Sequence, residues 1–380
     1  MEAQWIRHLD DLDNATLAQW RALAERQGKP YCLPGWMLAW WRHASPAGAE
    51  LRILLLKDGE DLAGVGPFFL DRRFGLRHLR LLGAGTSSTV APLAENSARE
   101  DLAASVRGLL RESREAHVAM LEGVPVDEHW PDSILGGRLP PAERLYSIRG
   151  WTQPNPTLDM PEDGFDQWFQ AKGGRFRARM RRGLRQLESM DGRVVLATGR
   201  EQIETRLSEF EQLHSDRWKS RGGSGVLTRD VAKVLRNFAA RSPQHLRLWA
   251  VEAEGRTVSV QVLVTAGGTT SHWLGGIDDS LTKLHPGAGV LSLYAAIEHA
   301  WKAGDRKLDF GAGGQSFKYH FADGEYQLEW SGVARARRWA VPARLPDLGE
   351  YSRLAVTRRL SPASKRLLRQ LQRRIIAFRS

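Results

Sequence analysis

Between Thr270 and Phe321 the chain carries groups that can move protons and hold anions: His272, glycines 287 and 289, Asp309, the run Gly311-Ala312-Gly313-Gly314, and Lys318. A carboxylate or imidazole held beside an amine can take its proton, which contributes roughly 10² to 10⁴ in rate. Glycines ahead of a helix leave backbone N–H groups and a favourable dipole open to a phosphate. A lysine nearby can steady a phosphate or an oxyanion. Each group also has a plain structural use: Asp309 can cap the Gly311 turn or pair with Lys318, and His272 can be a satisfied strand histidine. Upstream, His214 and Arg217 share one helix face with Trp218 beside them, where they either line a binding surface or form an ordinary helix exterior. A run of Lys172, Arg175, Arg177, Arg179, Arg181, Arg182 and Arg185 contains no acid, so it is either a solvated face or a site for an anionic partner such as a phosphate-bearing substrate.

Other chemistries are absent from the pattern. The 11 histidines show no HExxH or carboxylate cluster at ligand spacing, so no metal is expected. No GxxxxGK[ST] loop and no GxSxG elbow occur, and the Gly311 to Gly314 run follows its strand instead of opening a strand–helix–strand unit. With 380 residues, 42% apolar and 26% charged, the chain has material for two ordinary cores. Cys32 is the single cysteine, which excludes intrachain disulfides and fits a reducing compartment. No apolar run approaches the 18 or so residues of a membrane span, and the first 30 residues contain Glu2, Asp10, Asp11, Asp13 and Glu25 without an apolar centre. A cytoplasmic location is expected.

The net charge is +11, and nine of the cations lie in 351–380, which holds no acid. Ser361 and Pro362 start a helix there, with Leu367, Leu368, Leu371, Ile375 and Ile376 at helical spacing between arginines. Such a basic amphipathic tail can lie on an anionic membrane, pack on its own domain or follow a nucleic-acid backbone; the membrane surface is preferred, and nucleic acid is not.

The elements that must position these groups repeat. Helices are expected at 15–27 and 34–42, a hairpin from Leu51 to Leu70 through Asp58-Gly59, a strand at 77–82, a helix at 99–111 and a strand at 116–121. The region from Gly123 to Pro161, with prolines 125, 131, 140, 141, 154, 156 and 161, reads as an irregular connector. The second half then shows helices at 165–190, 201–220 and 229–240, a hairpin from Leu246 to Thr265 through Glu254-Gly255, a strand at 270–275, a helix at 289–303 and a strand at 307–310. Leu51-Arg52 with Gly59 corresponds to Leu246-Arg247 with Gly255. Two copies of one α/β unit are inferred.

The order of strand, Pro286-Gly287-Gly289 turn, amphipathic helix, short strand ending at Asp309 and glycine-rich turn into Lys318 resembles the second half of a GNAT acyltransferase. Together with Leu33-Pro34-Gly35-Trp36, Arg80 to Gly83 and His214 to Trp218, it resembles the duplicated GNAT proteins of polysaccharide biosynthesis, relatives of the FemABX aminoacyl transferases and of bacterial ceramide synthases. The loop Lys283-Leu284-His285-Pro286-Gly287-Ala288-Gly289 keeps the glycines of the coenzyme A motif but not its full pattern, and Phe317 stands where relatives often have tyrosine before the lysine, leaving Tyr319 as a possible substitute.

The resemblance implies tandem GNAT domains, α/β with mixed and mostly antiparallel sheets flanked by helices: 1–160, 161–345 with the donor site, and a basic tail over 346–380. It implies acyl transfer from acyl-CoA, a cosubstrate and not a bound cofactor, to an amine. Asp309, His272 and Lys318 are then the catalytic candidates. His285, Gly287, Gly289 and Gly275 would face the donor, and His214, Arg217, Trp218 and Tyr319 the acceptor. Backbone N–H groups of Trp273 to Gly275 would meet the oxyanion. A long-chain sphingoid base at the inner face of the membrane is the first acceptor expected; an amino sugar, an aminoacyl transfer from tRNA and a non-enzymatic lipid- or nucleic-acid-binding role are the alternatives. Oligomeric state, acyl length and acceptor identity are not legible.

Overall fold

Turn chemistry and near-continuous apolar runs, buried on both faces, build the two hairpins. Glu254 and Gly255 both adopt positive φ between their strands, as a two-residue hairpin turn requires. The computed structural model describes residues 1–343 other than 138–139, 141–143, 163, 220–222 and 282. The basic tail helix expected over 351–380 lies outside the described residues.

The first half runs β1 (Glu2–Ile6), α1 (Asn14–Arg26), α2 (Pro34–Ala44), β2 (Glu50–Asp58), β3 (Asp61–Arg73), β4 (Leu76–Leu81), β5 (Leu93–Ala94), α3 (Arg99–Arg111), β6 (Val118–Pro125), α4 (Trp130–Leu135) and β7 (Tyr146–Asp159). After α5 (Gly164–Ala171) and α6 (Gly174–Ser189) the scheme recurs as β8 (Arg193–Leu196), α7 (Gly199–Lys219), α8 (Arg229–Arg241), β9 (Leu246–Ala253), β10 (Arg256–Ala266), β11 (Thr269–Ile277), α9 (Ala288–Lys302), β12 (Lys307–Asp309) and β13 (Gly324–Ala334), closed by the short α10 (Arg337–Ala340). The expected tandem α/β architecture is present.

The halves share one sheet. Among the described residues it has 13 strands in the order β1-β2-β3-β4-β6-β13-β7-β12-β11-β10-β9-β8, with β5 beside β3. The last strand of each half crosses over: β7 pairs with β12 of the second half, and β13 with β6 of the first. β7 and β13 then pair with each other from Tyr146↔Ala334 to Thr157↔Gly324. On one face Trp36 of α2 packs edge-on against Phe238 of α8 and Trp273 of β11, at 5.2 and 5.3 Å between ring centres, so the largest core joins both halves. On the other face Phe310 and Leu308 pack with Tyr294 and Ile297 of α9.

Several expectations are corrected. The connector from Gly123 to Pro161 contains the 14-residue strand β7, hidden by its prolines. The carbonyls of Pro154 and Pro156 accept from Gly313 and Phe310, so both ring nitrogens point to the side where β12 has ended and no ladder N–H is needed. The helix expected over 165–190 is two helices, broken at Gly173. Strands β1, β5, β8 and β13 lie outside the expected elements.

Candidate active site

β11 and β12 run parallel for only three pairs, Thr269↔Lys307, Thr270↔Leu308 and Ser271↔Asp309. Beyond them β11 continues to Ile277 while the chain after β12 turns away at Gly311, whose φ is +77°. A side chain at Gly311 would also lie 2.8 Å from Ser88 Oγ and 3.1 Å from the His272 carbonyl. Two parallel strands thus open into a cleft with Asp309 at its apex. At the cleft Val262 faces Leu274 and Leu263 faces His272, which makes Trp273 the extra residue of a bulge, out of the β10 ladder.

Asp309 is buried, with Oδ1 accepting from the Gly311 N–H at 2.7 Å and Oδ2 accepting from the Tyr326 hydroxyl at 2.6 Å. Burial and the Asp309 charge push the Tyr326 hydroxyl well above the usual tyrosine value, so it stays a donor. Asp309 opens on a cavity of about 220 Å³ whose walls come from both halves: Tyr31 and Thr89 of the first, Thr269, Ser271, Asp309 and Tyr326 of the second.

His272 lies on the opposite sheet face. It bonds through Nε2 to Gln261 Oε1 at 2.8 Å, and Gln261 leads through Ser259 to Ser292 on α9. Burial first, then the Lys318 charge, lowers its pKa to about 3, so the ring is neutral at physiological pH. The two base candidates therefore do not share a pocket.

Lys318 is buried and donates to the carbonyls of Gly311, Ala312 and Gly313 at 2.6, 2.9 and 3.0 Å. Its three N–H bonds hold the glycine-rich turn, not the Asp309 carboxylate. Burial lowers its pKa to about 8 against the opposing pull of Asp309. The lysine thereby fixes the segment that carries the Gly311 N–H to Asp309.

Gly287 precedes α9, with open space where a side chain would project, whereas a side chain at Gly289 would meet Ile277 at 2.5 Å. The His285 N–H donates to Gln186 of α6 at 3.1 Å, and Gly183 brings α6 against Pro286. The basic run thus stands beside the start of α9. Gly275 is taken up elsewhere: its carbonyl is 3.2 Å from His214 Nδ1, whose Nε2 lies 2.9 Å from Ser224 Oγ. His214, with its pKa lowered by burial, stitches α7 to β11. Arg217 pairs with Asp279 at 3.1 Å, and the Trp218 ring centre lies 6.1 Å from that of His214. Tyr319 is 44% exposed and donates to Glu325 at 2.6 Å, which pushes its pKa up to about 12. None of these four lines the cavity at Asp309.

Tyr326, Tyr31, Ser271 and Thr89 escaped sequence reasoning. Tyr326 had a readable signal, the alternation in Gly324 to Trp330. The segment 86–89 is held by tryptophan N–H groups from two elements: Trp36 donates to Ser87 Oγ at 2.8 Å, Trp40 to Thr86 Oγ1 at 3.0 Å and Trp273 to the Thr86 carbonyl at 2.8 Å. No local pattern encodes that grip.

Residues 174–319 match the family profile of the acetyltransferase (GNAT) domain. A search of curated proteins found no significant match. Among solved structures the fold is similar to FemX, at 13% identity and TM-score 0.58 over 88% of this chain and 97% of that one. It is also similar to the C-terminal domain of a putative lysylphosphatidylglycerol synthetase from Agrobacterium fabrum, at 11% identity and TM-score 0.55 over 88% and 95%. A conserved protein of unknown function from Bacteroides thetaiotaomicron follows, at 12% identity and TM-score 0.54 over 88% and 100%. The cleft between β11 and β12 and the helix that follows β11 lie within the matched residues, so 174–319 form a GNAT acetyltransferase domain, that of an acyl-transferring enzyme, in a chain whose fold is similar to that of FemX.

Proposed function

We propose that the second half transfers an acyl group from a coenzyme A thioester to an amine, and that Asp309 takes the amine proton. The observation that carries this reading is the buried carboxylate at the apex of the β11/β12 cleft, oriented by the Gly311 N–H and the Tyr326 hydroxyl. The ammonium form of the acceptor first gives one proton to Asp309; the neutral nitrogen then bonds to the thioester carbon as the carbon–sulfur bond breaks, and the second proton lost from nitrogen goes to the departing sulfur. The backbone at the Trp273 bulge, out of register with β10, is suited to receive the oxyanion, and Lys318 keeps the turn in place. The donor phosphates would lie toward Gly287 and the start of α9, beside the arginines of α6. His272, neutral and on the other face, serves as a structural group. His214, Arg217, Trp218 and Tyr319 support the cleft walls from outside the cavity.

The acceptor lies on the Asp309 face. The polar cavity supports an amine with a polar head, which an amino sugar or the head of a sphingoid base would supply. Presentation at a membrane rests on the basic composition of 351–380. In this reading 1–160 supports the acceptor side, 161–345 binds the donor and 346–380 concentrates the enzyme at a surface.

Asp309→Asn should lower kcat at least tenfold with a melting temperature within about 2 °C of the parent. Activity that falls only in step with stability would make Asp309 a cap of the Gly311 turn.

A further inference from the structure

Tyr31 and Ser271 line the cavity at Asp309, and both are almost wholly buried, at 1% and 2% exposure. Neither hydroxyl makes a hydrogen bond of normal geometry; Tyr31 lies within reach of Ser271 and Ser88 without a well-formed bond to either. A buried hydroxyl without a partner is costly, and it persists where a ligand supplies the missing bond. Thr89, Thr269 and Tyr326 add three more hydroxyls to the same walls. Tyr31 belongs to the first half and Ser271 to the second, and Ser271 is the strand partner of Asp309.

Resting on the reading of Asp309 as the base, we infer that this cavity takes a primary amine flanked by hydroxyls, and that Tyr31 and Ser271 set that preference. At about 220 Å³ the cavity is below the roughly 300–1,000 Å³ of pockets that enclose drug-sized ligands. It holds a small head and leaves any attached chain outside. An amine bearing only carbon beside nitrogen would leave the two hydroxyls only the poorly aligned contacts of Tyr31 with Ser271 and Ser88, and a polar site whose groups are left poorly paired rejects such an analogue. A free amino sugar and the amino-diol head of a long-chain base share this chemistry.

The test uses the full chain with acetyl-CoA and hexanoyl-CoA as donors and thiol release as the readout. The acceptors are 2-amino-1,3-propanediol, isopropylamine as its hydroxyl-free match, glucosamine, and sphinganine in mixed micelles. The diol should exceed isopropylamine in kcat/KM by at least about tenfold, the size of one unpaired buried hydroxyl. Tyr31→Phe and Ser271→Ala should each reduce that ratio severalfold, with melting temperatures reported alongside. Equal use of the two small amines by the parent would overturn the inference, as would variants that leave the ratio unchanged. If Tyr31→Phe does not fold, Ser271→Ala decides alone. Glucosamine preferred over sphinganine assigns the head to a soluble sugar, and the reverse to a lipid. If no amine is acylated, the proposed reaction fails for these donors, while saturation-transfer NMR of the diol on parent and variant proteins still decides what the cavity binds.

Discussion

The first half carries the same three-pair parallel ladder as the second and fills it differently. β4 and β6 pair through His78↔Val118, Leu79↔Ala119 and Arg80↔Met120; β11 and β12 pair through Thr269↔Lys307, Thr270↔Leu308 and Ser271↔Asp309. Met120 therefore stands where the second half has Asp309, and Arg80 where it has Ser271. The first-half opening is closed by charge: Arg80 makes two hydrogen bonds to Glu122, at 2.7 and 2.9 Å, and a third to Asp71 at 3.2 Å, all buried. One ladder is locked by an ion-pair cluster, and its copy is left open with a carboxylate at the apex. Under the proposed reading one copy is kept for chemistry while the other contributes walls, since Tyr31 and Thr89 reach the cavity at Asp309 from the first half.

The largest effect that sharpens this contrast should come from Arg80→Met. Removing one partner of a buried ion pair leaves Glu122 uncompensated and Asp71 with Arg73 alone, and should cost about 3–5 kcal/mol in stability. Denaturant unfolding would report it, and acyl-CoA affinity of the folded fraction should be unaltered. A loss of affinity greater than the loss of stability would give the first half a donor role.

Gly287→Trp and Gly83→Trp compare the two donor openings directly. The second-half variant should weaken acyl-CoA binding at least tenfold, because Gly287 faces open space at the start of α9. The first-half variant, at a φ of +81°, should lower melting temperature without that loss. Calorimetric titration of both proteins checks the pair, and loss confined to Gly83→Trp would reverse the assignment of the halves.

A smaller difference concerns two buried histidines. His78 in the first half is lowered to about 4 by burial and by Arg80, and His272 to about 3 by burial and Lys318. Between these values and the unfolded value near 6.5 the unfolded chain binds more protons, so stability falls as pH falls through this window. Replacing either by Gln should make the pH dependence of unfolding between pH 6.5 and 4 shallower, by at most about 1.4 kcal/mol per pH unit. An unchanged slope would mean that the histidine titrates alike in both states.

Much of the fold follows from local pattern. The two hairpins are set by apolar runs around Asp58-Gly59 and Glu254-Gly255, and the helix at 99–111 by its apolar spacing, because the forces involved act over a few residues. The repeat, and with it the tandem architecture, was legible from the order of these elements. Asp309, Lys318, Gly287 and Gly289 were legible as groups able to do chemistry, and the absence of metal and P-loop patterns narrowed that chemistry.

Tertiary structure decided which of those groups meet. Asp309 and His272 sit on neighbouring strands, yet alternation and the bulge at Trp273 put them on opposite faces. Lys318 was separated from Asp309 because three carbonyls of the turn surround its ammonium. β7 was invisible because its prolines need no ladder N–H only once β12 ends at Asp309, a fact about a strand some 150 residues away. Tyr31 joins Asp309 across a still longer separation. The sequence by itself determined the elements and the chemical inventory, through short-range propensity and residue type; the crossing of β7 and β13 between the halves, a long-range pairing with no local signature, decided which residues form one site.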